Sequence, residues 1–383
     1  MAKGATINYF SYPTNIAFGN GAVGELGAYL KANKLRAPLI VTDPVVANLD
    51  FFKYIIRRLK AKGIKTEVYC DIHKNPVKTD VLKGGKTFKG LKRDSVIGIG
   101  GGASMDVARA IVLRINHSRD LFAYDDLQGG SIYVTKEVPH FITIPTTSGT
   151  GSEVGRSAII SENQSKKKRI LFHPKLLAKM VFADPELTYD LPPAVTAATG
   201  MDALTHNMEA FLAKGYHPMC DGIALEGIRL IANALEKAVK NNTKGSRSDM
   251  MMGSLMGAVA FQKGLGVVHS MAHPLSSLLD MHHGLANAIC IPHGMEFNIP
   301  GQEEKFKQMG LAMGLGKPDG KTVVEKLHIL NQKIGIPAHL SDLGVNEDHI
   351  NTLRDLAVLD FCHPSNPIPV KAKDFKKLYK SAL

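Results

Sequence analysis

Residues 200–283 constrain this chain more tightly than any other stretch. Gly200-Met201-Asp202-Ala203-Leu204-Thr205-His206 sets Asp202 and His206 four residues apart. Further along, Val267-Val268-His269-Ser270-Met271-Ala272-His273-Pro274-Leu275 repeats that spacing with His269 and His273, and His282-His283-Gly284 follows. Such pairs project from one face only if both segments are helical, because residues four apart lie one above the other on a helix. A carboxylate converging with several imidazoles suits a divalent first-row metal, iron or zinc before magnesium or calcium. Histidines satisfied inside a core or at a helix cap show the same spacing, so on spacing alone both readings stand.

The first half of the chain has a different pattern. Leu39-Ile40-Val41-Thr42-Asp43, Lys65 to Cys70, Asp94 to Ile99 and Phe141 to Ile144 read as strands, with helical patterns such as Phe51 to Lys62 and Asp106 to Arg114 between them. Strands alternating with helices imply a parallel, doubly wound sheet. The third strand runs into Gly100-Gly101-Gly102-Ala103-Ser104-Met105-Asp106. A strand, a glycine run and a helix start place bare backbone N–H groups at the positive end of a helix dipole, which is a phosphate cradle. The order departs from GxGxxG, and a glycine cluster can also be a tight turn alone. The fourth strand ends in Pro145-Thr146-Thr147-Ser148-Gly149-Thr150-Gly151-Ser152-Glu153, a second ligand loop at the carboxyl edge of the sheet.

From Asp184 onward the strand signal fades, and Pro192-Pro193 opens helix-period segments at Ala194 to Lys214, Met219 to Asn241 and Ser248 to Gln262. A length of 383 residues exceeds a typical single core. The expected division is 1–188 as an α/β dinucleotide-binding domain and 189–383 as an all-helical metal-binding and catalytic domain. A cleft between them would hold the cradle on one wall and the Asp/His cluster on the other.

Composition narrows the function classes. No run of eighteen apolar residues occurs, so no membrane partner is expected, and residues 1–6 lack the apolar core of a secretory signal. Cys70, Cys220, Cys290 and Cys362 form no CxxC pair, which excludes a thiolate zinc knuckle and points to a reduced cytoplasmic chain. The net charge of +12 invites a nucleic-acid reading, but the lysines are dispersed and no nucleic-acid-binding signature accompanies them. The run Lys166-Lys167-Lys168-Arg169 reads first as a solvated face, and the excess charge fits anionic cofactors or substrates.

Taken in order, these segments are similar to the iron-activated (group III) alcohol dehydrogenases. Their dehydroquinate synthase-like fold, shared with glycerol dehydrogenase, joins a Rossmann-like α/β domain to an all-α domain. The resemblance rests on Gly100 to Asp106, Ile144 to Val154, Ala183 to Thr188, Ala198 to His206, His269 to Leu275, His282 to Ala288, Cys362 and Asn366-Pro367. It implies an NAD-linked oxidoreductase interconverting a small primary alcohol and its aldehyde by hydride transfer. The metal would be Fe²⁺, with Zn²⁺ the alternative, acting as a Lewis acid and held by Asp202, His206, His269 and His283. His273 would stand near the nicotinamide and relay the proton, a task suited to histidine. Asp43 would meet the adenosine ribose and so favour NAD over NADP, with Asn75 and Pro76 near the adenosine. Gly101, Gly102 and Ala103 would lie at the pyrophosphate, Thr146, Thr147 and Thr150 around the phosphates and nicotinamide ribose, and Lys168 near the ribose hydroxyls. A homodimer or larger homo-oligomer is also implied.

The chain departs from the family pattern in places. Ala103 replaces a common Ser, Arg109 replaces a common Lys, and Phe261 is displaced by one position relative to His269. Phe261, Lys263 and Cys362 are the candidate substrate residues. An ammonium in a partly dry cleft needs a partner. For Lys263 that partner is an acid of the chain, a cofactor phosphate, solvent reached by snorkelling, or an anionic aldehyde drawn in with help from Arg156. Two other readings remain: a dehydroquinate synthase-like or glycerol dehydrogenase-like enzyme on the same fold, and a basic scaffold or nucleic-acid-binding protein on a degenerate one.

Overall fold

The computed structural model describes residues 12, 14–164 and 168–383. Residues 1–6, and Lys166 and Lys167 of the basic run, lie outside the described residues. Two compact units divide the described chain, at Thr14–Leu191 and from Pro192 to Leu383. The break falls three residues beyond the expected 188/189.

In the first unit the chain runs β1 (Asn15–Phe18), α1 (Leu26–Ala32), β2 (Pro38–Val41), α2 (Asp50–Ala61), β3 (Glu67–Tyr69), α3 (Lys78–Gly90), β4 (Ser95–Gly100) and α4 (Gly102–Asn116). It continues through β5 (His140–Pro145), β6 (Ser157–Ser161), β7 (Lys168–Phe172) and β8 (Met180–Ala183). Among the described residues, six strands pair in the order β1-β8-β5-β4-β2-β3, every pairing parallel. The central strands are buried on both faces because their side chains alternate between two cores. Leu39, Val41, Val96 and Phe141 pack with Val81 and Phe88 of α3 and Val107 and Ile111 of α4. Ile40, Ile97, Ile99, Ile142 and Ile144 pack on the other face with Leu26 and Leu30 of α1 and Phe52, Ile55 and Leu59 of α2. The four strands read from sequence are present; β1 and β6 to β8 are additional. β6 and β7 form a separate antiparallel hairpin, Ser157 opposite Phe172.

The second unit is helical among the described residues: α5 (Pro193–Leu212), α6 (Pro218–Lys240), α7 (Lys244–Ala260), α8 (Val267–Leu279), α9 (His283–Phe297), α10 (Glu303–Ala312), α11 (Gly320–Lys333), α12 (Glu347–Val358) and α13 (Ala372–Ala382). Pro193 opens α5 at its first position, where a missing N–H costs nothing. From Thr196 to Leu212 α5 is buried almost all round, packed by α6, α7 and α9. No single helix among the described residues is long and apolar enough to cross a membrane.

Candidate functional site

Three helices of the second unit carry the same four-residue spacing. Asp202 and His206 lie on α5, His269 and His273 on α8, and His283 and Asn287 at the start of α9. The Asp202 Oδ1 atom is 3.5 Å from His283 Nε2, 3.9 Å from His269 Nε2 and 4.0 Å from His206 Nε2. Ligand atoms of Asp202, His269 and His283 all lie within 4.8 Å of one another. His206 falls outside that mutual set, though its ring stacks on His269 with centroids 4.7 Å apart. Metal bonds of about 2.1 Å at tetrahedral angles separate ligand atoms by about 3.4 Å, so the donor set fits a small divalent ion.

The hydrogen bonds around the cluster support that fit. His269 Nδ1 lies 2.6 Å from Glu209 Oε2, so the ring donates to that carboxylate and its Nε2 faces Asp202. Glu209 also accepts from the Val268 N–H at 2.7 Å. The Asn287 amide donates to Asp202 Oδ1 at 2.7 Å and lies 3.1 Å from His283 Nε2. Burial alone would raise the Asp202 carboxyl, but His206, His283, His269 and the Asn287 amide hold it at about 2. A buried anion surrounded by inward-facing imidazole nitrogens is a site for a cation.

His273 stands at the edge of this cluster, its ring stacked on His283 at 5.3 Å and on Phe361 at 5.4 Å. Its Nδ1 lies 2.7 Å from Asp360 Oδ2, which leaves Nε2 as the outward nitrogen. Asp360 also accepts from Ser270 Oγ at 2.6 Å and from the Cys362 N–H at 2.9 Å. Burial pushes the Asp360 carboxyl up, yet His273, Ser270 and the Cys362 amide keep it well below the usual carboxylate range. Burial, with Asp360 close by, raises the Cys362 thiol. Phe261 lies beside His206, ring centroids 5.2 Å apart.

Lys263 takes one of the four partners open to it. Its side chain is only 2% exposed, its ammonium is ion-paired with Asp221, and it donates to the Phe211 carbonyl oxygen at 3.1 Å. The partner is thus an acid of the chain itself, and neither a substrate anion nor the snorkelling alternative is needed to explain the buried charge.

In the first unit the expected cofactor residues gather at the carboxyl ends of neighbouring strands. Asp43 follows β2, Asn75 and Pro76 follow β3, Gly101 to Ala103 follow β4, and Thr146 to Thr150 follow β5. The chain passes outward from β2 to β3 and returns to β4 on the other side of β2, so Asp43 and the glycine loop flank the topological switch point. Gly100 has φ +146°, and a side chain there would collide with Ser104 Oγ at 2.4 Å. Gly101 caps α4 without a side-chain acceptor, leaving amides at the helix start. A Cβ on Gly102 would lie 3.1 Å from Thr150 Cγ2, so the two loops are in contact. Asp43 Oδ1 caps its own turn through the N–H groups of Val45 and Val46, each at 2.9 Å, and Oδ2 accepts from Ser104 Oγ at 3.2 Å. Lys168 opens β7 and contributes to the field at Asp106. Arg109 is fully buried and ties Ser152 Oγ, the Ser157 carbonyl and the Leu176 carbonyl together, at 2.9, 2.8 and 3.2 Å.

Glu209, Asn287, Ser270 and Asp360 are site residues that sequence reasoning missed. A local signal existed for two of them: Glu209 continues the Asp202/His206 face at i+7, and Asn287 stands at i+4 from His283. For Asp360, 87 residues from His273, no local signal exists.

Comparison with known proteins places these observations. The profile described as iron-containing alcohol dehydrogenase matches residues 13–185, and that of the Fe-containing alcohol dehydrogenase family, C-terminal, matches 196–383. The chain is 35% identical to 4-hydroxybutyrate dehydrogenase of Cupriavidus necator, over 98% of this chain and 100% of that one. It is 33% identical to lactaldehyde reductase of Escherichia coli strain K12, over 95% and 97%. The crystal structure of a 1,3-propanediol oxidoreductase superposes with TM-score 0.93 at 32% identity, covering 98% of this chain and 100% of that one. Sulfoacetaldehyde reductase from Bifidobacterium kashiwanohense, solved in complex with NAD+, gives TM-score 0.88 at 25% identity, covering 99% of each chain.

Proposed function

Because the chain belongs to the iron-containing alcohol dehydrogenase family, we propose that it interconverts a small primary alcohol and its aldehyde with NAD. The balance is RCH₂OH + NAD⁺ ⇌ RCHO + NADH + H⁺. One observation carries this reading: a buried carboxylate on which the Nε2 atoms of three histidines from three helices converge within 3.5–4.0 Å.

Asp202, His206, His269 and His283 would hold the ion, Fe²⁺ in the first instance. When bound, the metal supplies Lewis-acid polarisation of the reacting oxygen and the nicotinamide carries the hydride. Glu209 keeps His269 in the tautomer that offers Nε2 inward. His273 holds or passes the proton at Nε2, with Asp360 fixing its ring through Nδ1. Asp43 accepts from the ribose hydroxyls and disfavours a 2′-phosphate. The amides of Gly101 to Ala103 receive the pyrophosphate at the start of α4. Thr146, Thr147 and Thr150 would line the phosphates and nicotinamide ribose, Asn75 and Pro76 the adenosine, and Lys168 the ribose hydroxyls. The four free cysteines support a reducing cytoplasmic setting. We also assign a homodimer or larger homo-oligomer by analogy with the family, which sedimentation checks.

The test follows absorbance at the nicotinamide band while a panel of alcohols and aldehydes is supplied. Chelation should abolish turnover, and Fe²⁺ should restore it more than Zn²⁺, Co²⁺ or Mn²⁺. His269→Ala should lose metal and turnover together. NADH should outperform NADPH by about tenfold or more, roughly 1.4 kcal/mol, and Asp43→Gly should narrow the gap. Full activity after complete metal removal overturns the reading.

A further inference from the structure

Resting on that oxidoreductase reading, we propose that Phe361, with Phe261, selects short aldehydes with neutral, apolar tails over those ending in a carboxylate or sulfonate. Two phenyl rings flank the ligand cluster. Phe261 lies 5.2 Å from the His206 ring and Phe361 lies 5.4 Å from the His273 ring at an interplanar angle of 30°. Phe361 is 44% exposed although His273 stacks on it, so the imidazole that handles the proton is bordered by an open apolar surface. Leu359, 82% exposed, and Val358 are also open to water in the same segment. A large ring left open to water beside a reactive group is the kind of surface that an apolar ligand covers.

Charge points the same way. Lys263, a cation that could have held an anionic tail, is committed to Asp221 and the Phe211 carbonyl, and its side chain is nearly inaccessible. An anionic tail laid on a phenyl face meets the negative side of the ring quadrupole and loses water without gaining a hydrogen bond. The chain's net charge of +12 attracts anions at long range, but over about 8 Å of physiological salt that attraction is screened and does not replace a contact. An alkyl tail on the same surface is desolvated favourably.

The experiment measures kcat/KM of the metal-reconstituted full chain for butanal, succinic semialdehyde and sulfoacetaldehyde at fixed ionic strength. Butanal should be favoured by about tenfold or more over both acids. Phe361→Arg should shift the succinic semialdehyde to butanal ratio upward by about tenfold. Phe361→Ala should raise KM for butanal about tenfold and raise it less for acetaldehyde, which has no tail to place. Calorimetry gives a readout independent of turnover: butyramide should bind the protein–metal–NADH complex about tenfold more tightly than succinamate. Metal content and melting temperature of each variant guard against misfolding, which the exposure of Phe361 makes a small hazard. The proposal is overturned if wild type handles succinic semialdehyde as well as butanal, or if Phe361→Arg changes both equally. Absence of turnover with every aldehyde overturns the oxidoreductase reading instead, and this inference with it.

Discussion

Glu209 determines what His269 can offer a cation. Its carboxylate is 1% exposed and accepts a hydrogen bond from Nδ1 at 2.6 Å, which turns the opposite nitrogen toward Asp202. Glu209→Gln keeps the shape and removes the charge. Metal affinity should fall about 10- to 100-fold with secondary structure intact, as competitive chelator titration and circular dichroism would show. An unchanged affinity would mean that the α8 backbone alone orients His269. Lys263 obeys the same rule with a different outcome. Its ammonium is buried against the half-buried Asp221 and the end of α5, so Asp221→Ala leaves a buried cation without its carboxylate. The expected loss is about 3 kcal/mol of stability in urea unfolding, because a broken buried pair strands its partner. A loss below about 1 kcal/mol would mean that the Phe211 carbonyl suffices.

At the scale of elements, the cluster depends on how closely α9 approaches α5. Gly284 sits where a Cβ would lie 2.3 Å from the Ala198 carbonyl oxygen and 3.3 Å from Asp202 Cβ. The obstacle is backbone, which cannot rotate aside. Gly284→Ala should push the start of α9 outward, carrying His283 away from Asp202. Metal affinity should drop by about tenfold or more and the melting temperature should fall, since overpacking a core costs about 1–3 kcal/mol. Wild-type affinity in this variant would show that His283 is dispensable. The helix spacings were legible beforehand because i,i+4 pairing is a local property. That Asp202, His269 and His283 share one centre depends on packing among three helices, which no local pattern encodes.

At the scale of the whole molecule, buried acids set how stability varies with pH. Glu153 is 3% exposed, and its Oε1 has no hydrogen-bond partner. Burial pushes its carboxyl from the ordinary 4.5 to about 7, against the opposing pull of its own backbone amide and Arg109. Asp106 is pushed by burial to about 6, opposed by Arg109, Ile159 N–H, Ser152 and Lys168. Between pH 4.5 and 7 the folded chain therefore binds more protons at Glu153 than the unfolded chain does. Stability from this group is full below pH 4.5, declines as pH rises to about 7, and then levels off. Glu153→Gln should remove that decline. Its stability relative to wild type should be greater at pH 8 than at pH 5 by about 3 kcal/mol, measured by urea unfolding at both. Asp106 should leave the variant a residual slope of the same sign. Parallel curves for variant and wild type would mean that Glu153 is ionised in the folded chain.

The sequence by itself determined the local structure and the identity of the donors. Short continuous apolar runs specify buried strands, and the one closing in glycine leads into an open helix start. Aspartate and histidines four apart specify helical faces, and both follow from backbone geometry within a few residues. Tertiary structure decided the partners. The 87 residues between His273 and Asp360, the 42 between Lys263 and Asp221, and the 60 between His269 and Glu209 are bridged only when the helices pack. Burial then decides what each charge does, because a side chain that water would satisfy on the surface must find a specific protein group inside. Lys263 found Asp221 in this way. Its position six residues before His269 was a fact of spacing, and the choice among its possible partners was a fact of the fold.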